Sequence, residues 1–256
     1  MKSVRYKDLN LGNGIFEGWN DQQGLMICGY EWGNSKKDQE QSQDAKPVDF
    51  NIACTFSNKV PRYGQGALSW PYDNRIKRWF ALWGHPLDSN EYGQDFDKSI
   101  IQTNWANTCN HQLANYSHLL SEEQVNNFIN HISTLKPKII LFMGSQLIHL
   151  LRNPIVKARF EEIVGTEIPD SFVVKQKKEF SGRKFKIYFC EFENCQIIGL
   201  PHPSSSRGLS DRYIELFEPE MNTIISQFKK EKRLILKIES PILQGWAFQH
   251  ERTDCR

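Results

Sequence analysis

The sequence predicts an α/β fold, namely a three-layer α/β/α sandwich around a central, mainly parallel four-stranded sheet, with a β-hairpin insertion. Two observations carry this prediction. Four short segments are almost uniformly apolar, which is typical of parallel strands that are covered on both faces. Helical patterns separate these segments, as in doubly wound folds. The strands are expected at residues 24–29, 99–103, 138–143 and 195–200.

The helices are recognised by apolar residues at three-to-four spacing. Ile76, Trp79 and Phe80 show this spacing in the first helical segment, and Ser121 is a suitable N-cap for the second. Two more helices are expected to follow the third and fourth strands. The four helices are predicted at residues 72–82, 121–132, 145–151 and 211–229.

An alternating segment and the C-terminus complete the predicted layout. Apolar and polar residues alternate over 171–192, which predicts an antiparallel hairpin before the last core strand. No linker or internal repeat interrupts the sequence, so one domain is expected over residues 1–256. Residues 233–256 form a C-terminal extension, and an edge strand that packs Trp246 and Phe248 on the core is one role open to it.

The charge balance and hydropathy exclude several classes of protein. The 32 Lys and Arg residues nearly cancel the 30 Asp and Glu residues, and the net charge of +2 excludes a histone-like basic protein and a disordered acidic chain. No apolar run approaches the ~18–20 residues that span a bilayer, and the N-terminus lacks a signal-peptide core. We therefore expect a soluble, cytoplasmic protein without a membrane partner. On composition alone, nucleic acid is also a poor candidate for its partner.

The six cysteines fit the same compartment. No Cys-x-x-Cys motif occurs and several cysteines lie in apolar runs, so they are expected to be reduced core residues. Cys190 and Cys195 form one close pair in the sequence, but no second pair matches it. We therefore expect no metal site.

Polar residues follow the predicted strands. An acidic residue follows the first, an amide the second, a helix N-terminus the third and a histidine the fourth. In open α/β sheets, ligands bind at the carboxyl ends of the strands. These residues are therefore expected to converge on one crevice. They are Glu31, Asn104, Ser145 and His202.

These segments resemble, in their order along the chain, the motifs of the uracil-DNA glycosylase superfamily. Residues 29–33 (Gly-Tyr-Glu-Trp-Gly) are similar to its first motif, residues 103–104 (Thr-Asn) to its second, and residues 202–204 (His-Pro-Ser) to its last. Residues 138–151 resemble the third strand of that family and the helix that follows it. The resemblance covers the chain from about residue 24 to residue 230.

The resemblance implies a monofunctional DNA glycosylase, which flips a pyrimidine out of DNA and hydrolyses its N-glycosidic bond to leave an abasic site. Glu31 stands where the family usually carries Asp or Asn, and its carboxylate would activate water and stabilise positive charge on the sugar. His202 would donate a hydrogen bond to the departing base. A surface glutamate in a turn and a capping histidine in a loop are the structural alternatives. No lysine occupies a motif position, so lyase chemistry is not expected.

Further residues are candidates for binding the base. Asn104 offers an amide that can read a pyrimidine's Watson–Crick edge, unless it only makes a turn. Phe56 resembles the family's stacking phenylalanine, and its rivals are Tyr30 and Trp32, the latter standing where the family usually has proline. Core packing is the alternative for all three aromatic residues.

Gly33 is the residue that bears on which pyrimidines are accepted as substrates. It stands where strict uracil enzymes of the family carry a tyrosine that excludes thymine, so the resemblance implies room for a substituent at the pyrimidine C5. The alternative is a glycine that only permits a turn with positive φ. The expected substrate is uracil, a mismatched pyrimidine or a C5-modified pyrimidine. The implied role is DNA repair or, with hypermodified phage cytosines as substrate, antiviral defence.

The last motif continues into residues suited to contact DNA. Ser204, Ser205 and Ser206 are expected to meet phosphates beside the flipped nucleotide, and Arg207 or Leu209 to fill the gap in the duplex. A flexible polar loop is the alternative. Basic residues gather in three segments, so local patches could let a nearly neutral chain bind DNA. The segments are residues 75–78, 175–186 and 229–233.

DNA is therefore the expected partner, and a monomer is the expected state. Two other functions stay open on the sequence. One is a catalytically silent nucleic-acid-binding module that keeps the pocket. The other is a different hydrolase on the same fold, since a fold does not determine a function.

Overall fold

The computed structural model describes residues 6, 9–33, 48–110, 116–176 and 185–234, and eight strands lie within them. The strands are β1 (Leu25–Gly29), β2 (Trp32–Gly33), β3 (Ile100–Asn104), β4 (Cys109–Asn110), β5 (Ile139–Met143), β6 (Val173–Lys175), β7 (Ile187–Phe192) and β8 (Cys195–Leu200). The α-helices are α1 (Val60–Tyr63), α2 (Pro71–Leu82), α3 (Asp95–Lys98), α4 (Glu122–Leu135), α5 (Ser145–Leu151), α6 (Pro154–Val164), α7 (Asp211–Glu215) and α8 (Glu218–Glu231). The turn of the predicted hairpin and the edge strand predicted from Trp246 and Phe248 lie outside the described residues.

Six strands form one mixed sheet in the order β3-β1-β5-β8-β7-β6. The first four of these are parallel neighbours and correspond to the four predicted strands, each to within one residue at either end. Nearly all of their side chains are buried, on both faces of the sheet, which accounts for the apolar sequences of β1 and β5 and for most of β8. The second half of β3 is polar although it is buried. The α/β class and its parallel core are therefore confirmed.

The prediction of a four-stranded sheet with a separate hairpin insertion is wrong in one respect, because the hairpin strands belong to the sheet. β6 and β7 pair antiparallel, as the alternation predicts, but β7 also pairs antiparallel with β8. Only Glu193 and Asn194 separate these two strands, so the chain folds straight back beside β8. β7 is buried along most of its length and covers the edge that β8 would otherwise expose. The hairpin thus extends the sheet to six strands.

All four predicted helical segments are helical, but one of them is divided, and the structure adds α1, α3 and α6. The segment 211–229 forms two helices rather than one, because Pro219 has no N–H and its ring clashes with the carbonyl one turn earlier in a continuous helix. Helix α6 was not predicted, although Asn153 caps it by accepting a hydrogen bond from the Ile155 N–H at 3.1 Å. Ser121 does precede α4, but its side chain makes no capping hydrogen bond.

Two hydrophobic cores lie on opposite faces of the sheet. Met26 and Cys28 of β1 pack toward α4, α5 and α6, whereas Leu25 and Ile27 pack toward α2, α7 and α8. The three layers of the predicted sandwich are therefore present. Among the described cysteines none forms a disulfide, and only Cys109 is exposed. Within the described ranges, no helix combines the length and the apolar character that crossing a membrane requires.

Candidate active site

The candidate site lies at the edge of the sheet where β1, β3, β5 and β8 all end. Because these strands are parallel, the residues that follow them meet at one edge. Of the four residues expected to converge, Asn104 and His202 both lie near Tyr72 at this edge, whereas the described contacts of Glu31 lead elsewhere. Tyr30, a candidate for stacking on the base, lies against His202. Helix α2 adds Tyr72, which the sequence analysis did not single out.

His202 is held in one orientation by its own loop. The backbone N–H groups of Ser204 and Ser205 both donate to its Nδ1 at 3.1 Å. Nδ1 is thus an acceptor, and in the neutral imidazole the proton must then sit on Nε2. No described residue hydrogen-bonds to Nε2, so this N–H group is available to a ligand. Burial lowers the pKa of His202 to about 4, so the ring is neutral at physiological pH.

This low pKa predicts a pH dependence of stability. The stabilising contribution of the neutral ring is complete above the ordinary histidine pKa of 6.5 and is lost as the pH falls from there toward 4, because only the unfolded chain takes up the proton easily. We expect the His202 ring resonances in NMR spectra to titrate near pH 4. A midpoint close to 6.5 would show that the ring is solvated and the site wrongly described.

Tyr30 packs against His202 at this edge of the sheet. Its ring stacks on His202 with the centroids 5.9 Å apart and an interplanar angle of 11°. Its hydroxyl accepts a hydrogen bond from the Gln146 N–H at 3.2 Å, at the start of α5. The ring lies so close to Gly144 that a Cβ there would collide with it, which explains the need for glycine after β5. Tyr30 therefore lies beside the predicted base-binding position, and burial raises the pKa of its hydroxyl.

Asn104 and Tyr72 meet above Gly29 at the end of β1. A Cβ on Gly29 would collide with Oδ1 of Asn104 and lie 3.1 Å from the hydroxyl of Tyr72. The Asn104 backbone carbonyl accepts a hydrogen bond from Asn127, whereas no described residue hydrogen-bonds to its side-chain amide. Asn104 is buried, with 5% of its surface exposed. Its amide thus lies buried beside the Tyr72 hydroxyl at the end of β3.

Tyr72 completes the contact with His202. The two rings are in tilted contact, with their centroids 5.4 Å apart. The Tyr72 hydroxyl is buried and has no hydrogen-bond partner among the described residues. In the sequence, Tyr72 lies one turn before Ile76 in an apolar helical stripe, so nothing distinguished it from a core residue.

Glu31 lies between β1 and the short strand β2, which pairs with β4. Its carboxylate accepts a hydrogen bond from the Thr108 hydroxyl at 2.7 Å, and that hydroxyl also lies 3.4 Å from Nε2 of His118. The side chain is half-buried. The described contacts therefore join Glu31 to the loop after β3 and do not include His202.

The remaining base-binding candidates occupy different surroundings. Phe56 is only 1% exposed and belongs to the core on the α2 face, where the Lys59 ammonium lies 5.3 Å from its ring centroid. Trp32 packs against Gly12 and donates to the Asn10 side chain. Gly33 is exposed and does not have a positive φ, and a Cβ there would meet open space. The turn alternative for Gly33 therefore has no support.

The loop after His202 is exposed but firmly anchored. Ser204, Ser205 and Arg207 are exposed and Ser206 is half-buried. Leu209 is 6% exposed and packs in the core, so it is excluded as a residue that fills the duplex. The anchor is Arg75 of α2, which donates to the carbonyls of Pro203 and Leu209 and to the carboxylate of Asp211.

The predicted basic patches are largely engaged within the protein. Arg78 joins Arg75 in pairing with Asp211, at 2.6 Å. Lys175 pairs with Glu220, while residues 177–184 lie outside the described ones. Lys232 donates to the carbonyls of two residues that precede β1, so the patch at 229–233 lies at the opposite edge of the sheet from His202. That patch does not face the crevice.

The fold and this geometry define an α/β protein with a cluster of polar and aromatic side chains at the carboxyl edge of its sheet. No family model matches the chain, and no curated protein matches it. Its activity has to be inferred from the chemistry of the crevice.

Proposed function

We propose that the protein is a monofunctional DNA glycosylase that flips a pyrimidine out of DNA and hydrolyses its N-glycosidic bond. One observation carries the proposal. The amide of Asn104 and Nε2 of His202 lie at the same carboxyl edge of the sheet, each beside Tyr72, and neither has a hydrogen-bond partner among the described residues. Polar groups in a buried setting are usually paired, so this arrangement suits a polar ligand.

The Asn104 amide suits the edge of a pyrimidine. It carries one acceptor and two donors, and a pyrimidine presents both kinds of group on its Watson–Crick edge. The base enters the crevice with its sugar at the mouth, so this edge reaches the floor where Asn104 lies. A base can reach this depth only after it has left the helical stack.

His202 is proposed to stabilise the base as it departs. Breaking the bond between C1′ and N1 leaves negative charge on the base, shared with its O2 oxygen. A neutral imidazole with its proton fixed on Nε2 donates a hydrogen bond to that oxygen without giving up the proton. Because the loop sets the ring's orientation before the substrate binds, little reorganisation accompanies the reaction.

Glu31 is the residue proposed to act on the sugar, where positive charge develops. A carboxylate can orient the attacking water, take its proton and stabilise positive charge on the sugar. The Thr108 hydroxyl donates to this carboxylate and so limits its orientation. The reaction needs only water as co-substrate, so the proposal includes no metal or organic cofactor.

The substrate class is a pyrimidine with or without a C5 substituent. Exposed Gly33 offers no side chain to exclude one, so uracil, mismatched thymine and modified cytosines, including hypermodified phage cytosines, all belong to the proposal. Its cellular role would be DNA repair or antiviral defence in the cytoplasm, carried out by a monomer.

The DNA backbone would run along the anchored loop. Ser204, Ser205 and Arg207 are exposed beside His202. An open groove between α2 and residues 209–211 adjoins them, and Arg78, whose side chain is 64% exposed, lies in that groove. Such contacts position DNA without reading its sequence.

The test uses end-labelled duplexes that carry uracil, mismatched thymine or a C5-modified cytosine at one site. After incubation with the protein, alkali cleaves any abasic site. We expect cleavage at the target position of at least one duplex. Binding of DNA without product would favour the silent module, and no release from any substrate would overturn the proposal.

Replacing Glu31 by Gln is expected to lower the rate of base release about ten-fold or more, because the amide cannot take a proton from water. Single-turnover rates would measure this. Glu162→Gln is the matched control, since Glu162 is exposed on α6, and it should leave the rate unchanged. Equal rates for Glu31→Gln and the control would exclude Glu31 from catalysis.

A further inference from the structure

The Tyr72 hydroxyl is a polar group without a structural task. It is buried, it has no hydrogen-bond partner among the described residues, and it lies beside the Asn104 amide above Gly29. Burying an unpaired hydroxyl costs free energy, so a protein that keeps one at a crevice gains something when a ligand satisfies it.

Tyr72 can act only as a neutral donor or acceptor in this place. Burial and the neighbouring carboxylate of Asp73 raise the pKa of its hydroxyl well above the ordinary value. The phenol therefore keeps its proton, and its O–H needs an acceptor. Since its ring contacts that of His202, two groups able to donate, Tyr72 O–H and His202 Nε2–H, belong to neighbouring side chains at one edge of the sheet.

From this juxtaposition we propose that Tyr72 is a catalytic residue of the glycosylase reaction, which donates a second hydrogen bond to the departing base. The inference rests on the proposed function. In the step, the bond between C1′ and N1 breaks and its electron pair leaves with the base. The water oxygen bonds to C1′ while Glu31 takes the water proton. The base anion, held by His202 and Tyr72, then takes a proton from solvent.

A comparison with Tyr213 separates this role from a structural one. Tyr213 is also buried, but its hydroxyl donates to the carbonyl of Phe185. Removing the Tyr213 hydroxyl breaks a bond within the protein, whereas removing the Tyr72 hydroxyl breaks none among the described residues. The two Phe variants are therefore matched in chemistry and differ in what they should affect.

The experiment compares Tyr72→Phe with Tyr213→Phe. We expect Tyr72→Phe to lower kcat about ten- to hundred-fold while its Tm stays equal to that of the wild type or rises. Tyr213→Phe should lower the Tm and leave kcat unchanged. A second arm of the experiment uses a duplex in which the target base carries fluorine at C5. This base leaves more easily as an anion. The loss caused by Tyr72→Phe should be smaller with that substrate, because less stabilisation is needed.

The outcomes distinguish this inference from the proposed function. Base release by the wild type together with a full rate for Tyr72→Phe would overturn the catalytic role and leave the glycosylase intact. A loss that is the same for both leaving groups would also overturn it, because it would indicate positioning rather than charge stabilisation. Absence of base release by the wild type would overturn the proposed function, and this inference with it.

Discussion

Replacing His202 by Asn is expected to reduce the rate of base release about 100-fold, which is the size of effect seen when one preorganised donor to a developing anion is removed. Asn is more informative than Ala at this position. Its side-chain oxygen can accept the two N–H bonds that Nδ1 now accepts from Ser204 and Ser205, while the Nε2–H donor is lost. The loop should therefore keep its conformation.

Single-turnover kinetics and DNA binding together test this expectation. The Asn variant should bind the target duplex with nearly the wild-type Kd, because the loop that faces the DNA is intact. The Ala variant should lose the same rate and, in addition, some affinity. If His202→Asn retains the wild-type rate, His202 serves only to shape the loop, and the donor role is wrong.

The parallel strands could be predicted from the sequence to within one residue because burial on both faces leaves short segments rich in apolar residues. The six-stranded sheet could not, because the alternation in β6 and β7 says that they pair with each other but not that β7 also pairs with β8. The break before α8 was visible in principle, since Pro219 stands inside the segment assigned to one helix.

The site was partly predictable for a related reason. Residues that follow parallel strands meet at one edge, so placing Tyr30, Asn104 and His202 required only the strand ends. Tyr72 comes from a helix packed across that edge, and its hydroxyl is distinguished by what surrounds it rather than by spacing. Likewise, Arg75 belongs to a basic cluster in the sequence, but its charge is paired with Asp211, far along the chain.

The largest expected effect on stability concerns a buried ion pair next to Tyr72. The Lys59 ammonium lies 2.6 Å from the Asp73 carboxylate, with 3% and 5% of the two side chains exposed, and it also donates to Gln102. Gln102 precedes Asn104 by two residues on β3, so both side chains point to the same face of the sheet. The ion pair therefore helps to hold the segment of β3 that carries Asn104.

Lys59→Met is expected to lower the free energy of unfolding by about 3–5 kcal/mol, because it leaves the Asp73 carboxylate buried without its ion-pair partner. The double variant Lys59→Met/Asp73→Leu removes both charges and should recover most of that loss, since a buried pair contributes little net stability over apolar side chains. Urea unfolding at neutral pH would measure both variants. If the double variant were as unstable as the single one, packing around Phe56 and Trp70, whose rings lie 5.3 and 5.2 Å from the ammonium, would account for the loss instead of charge burial.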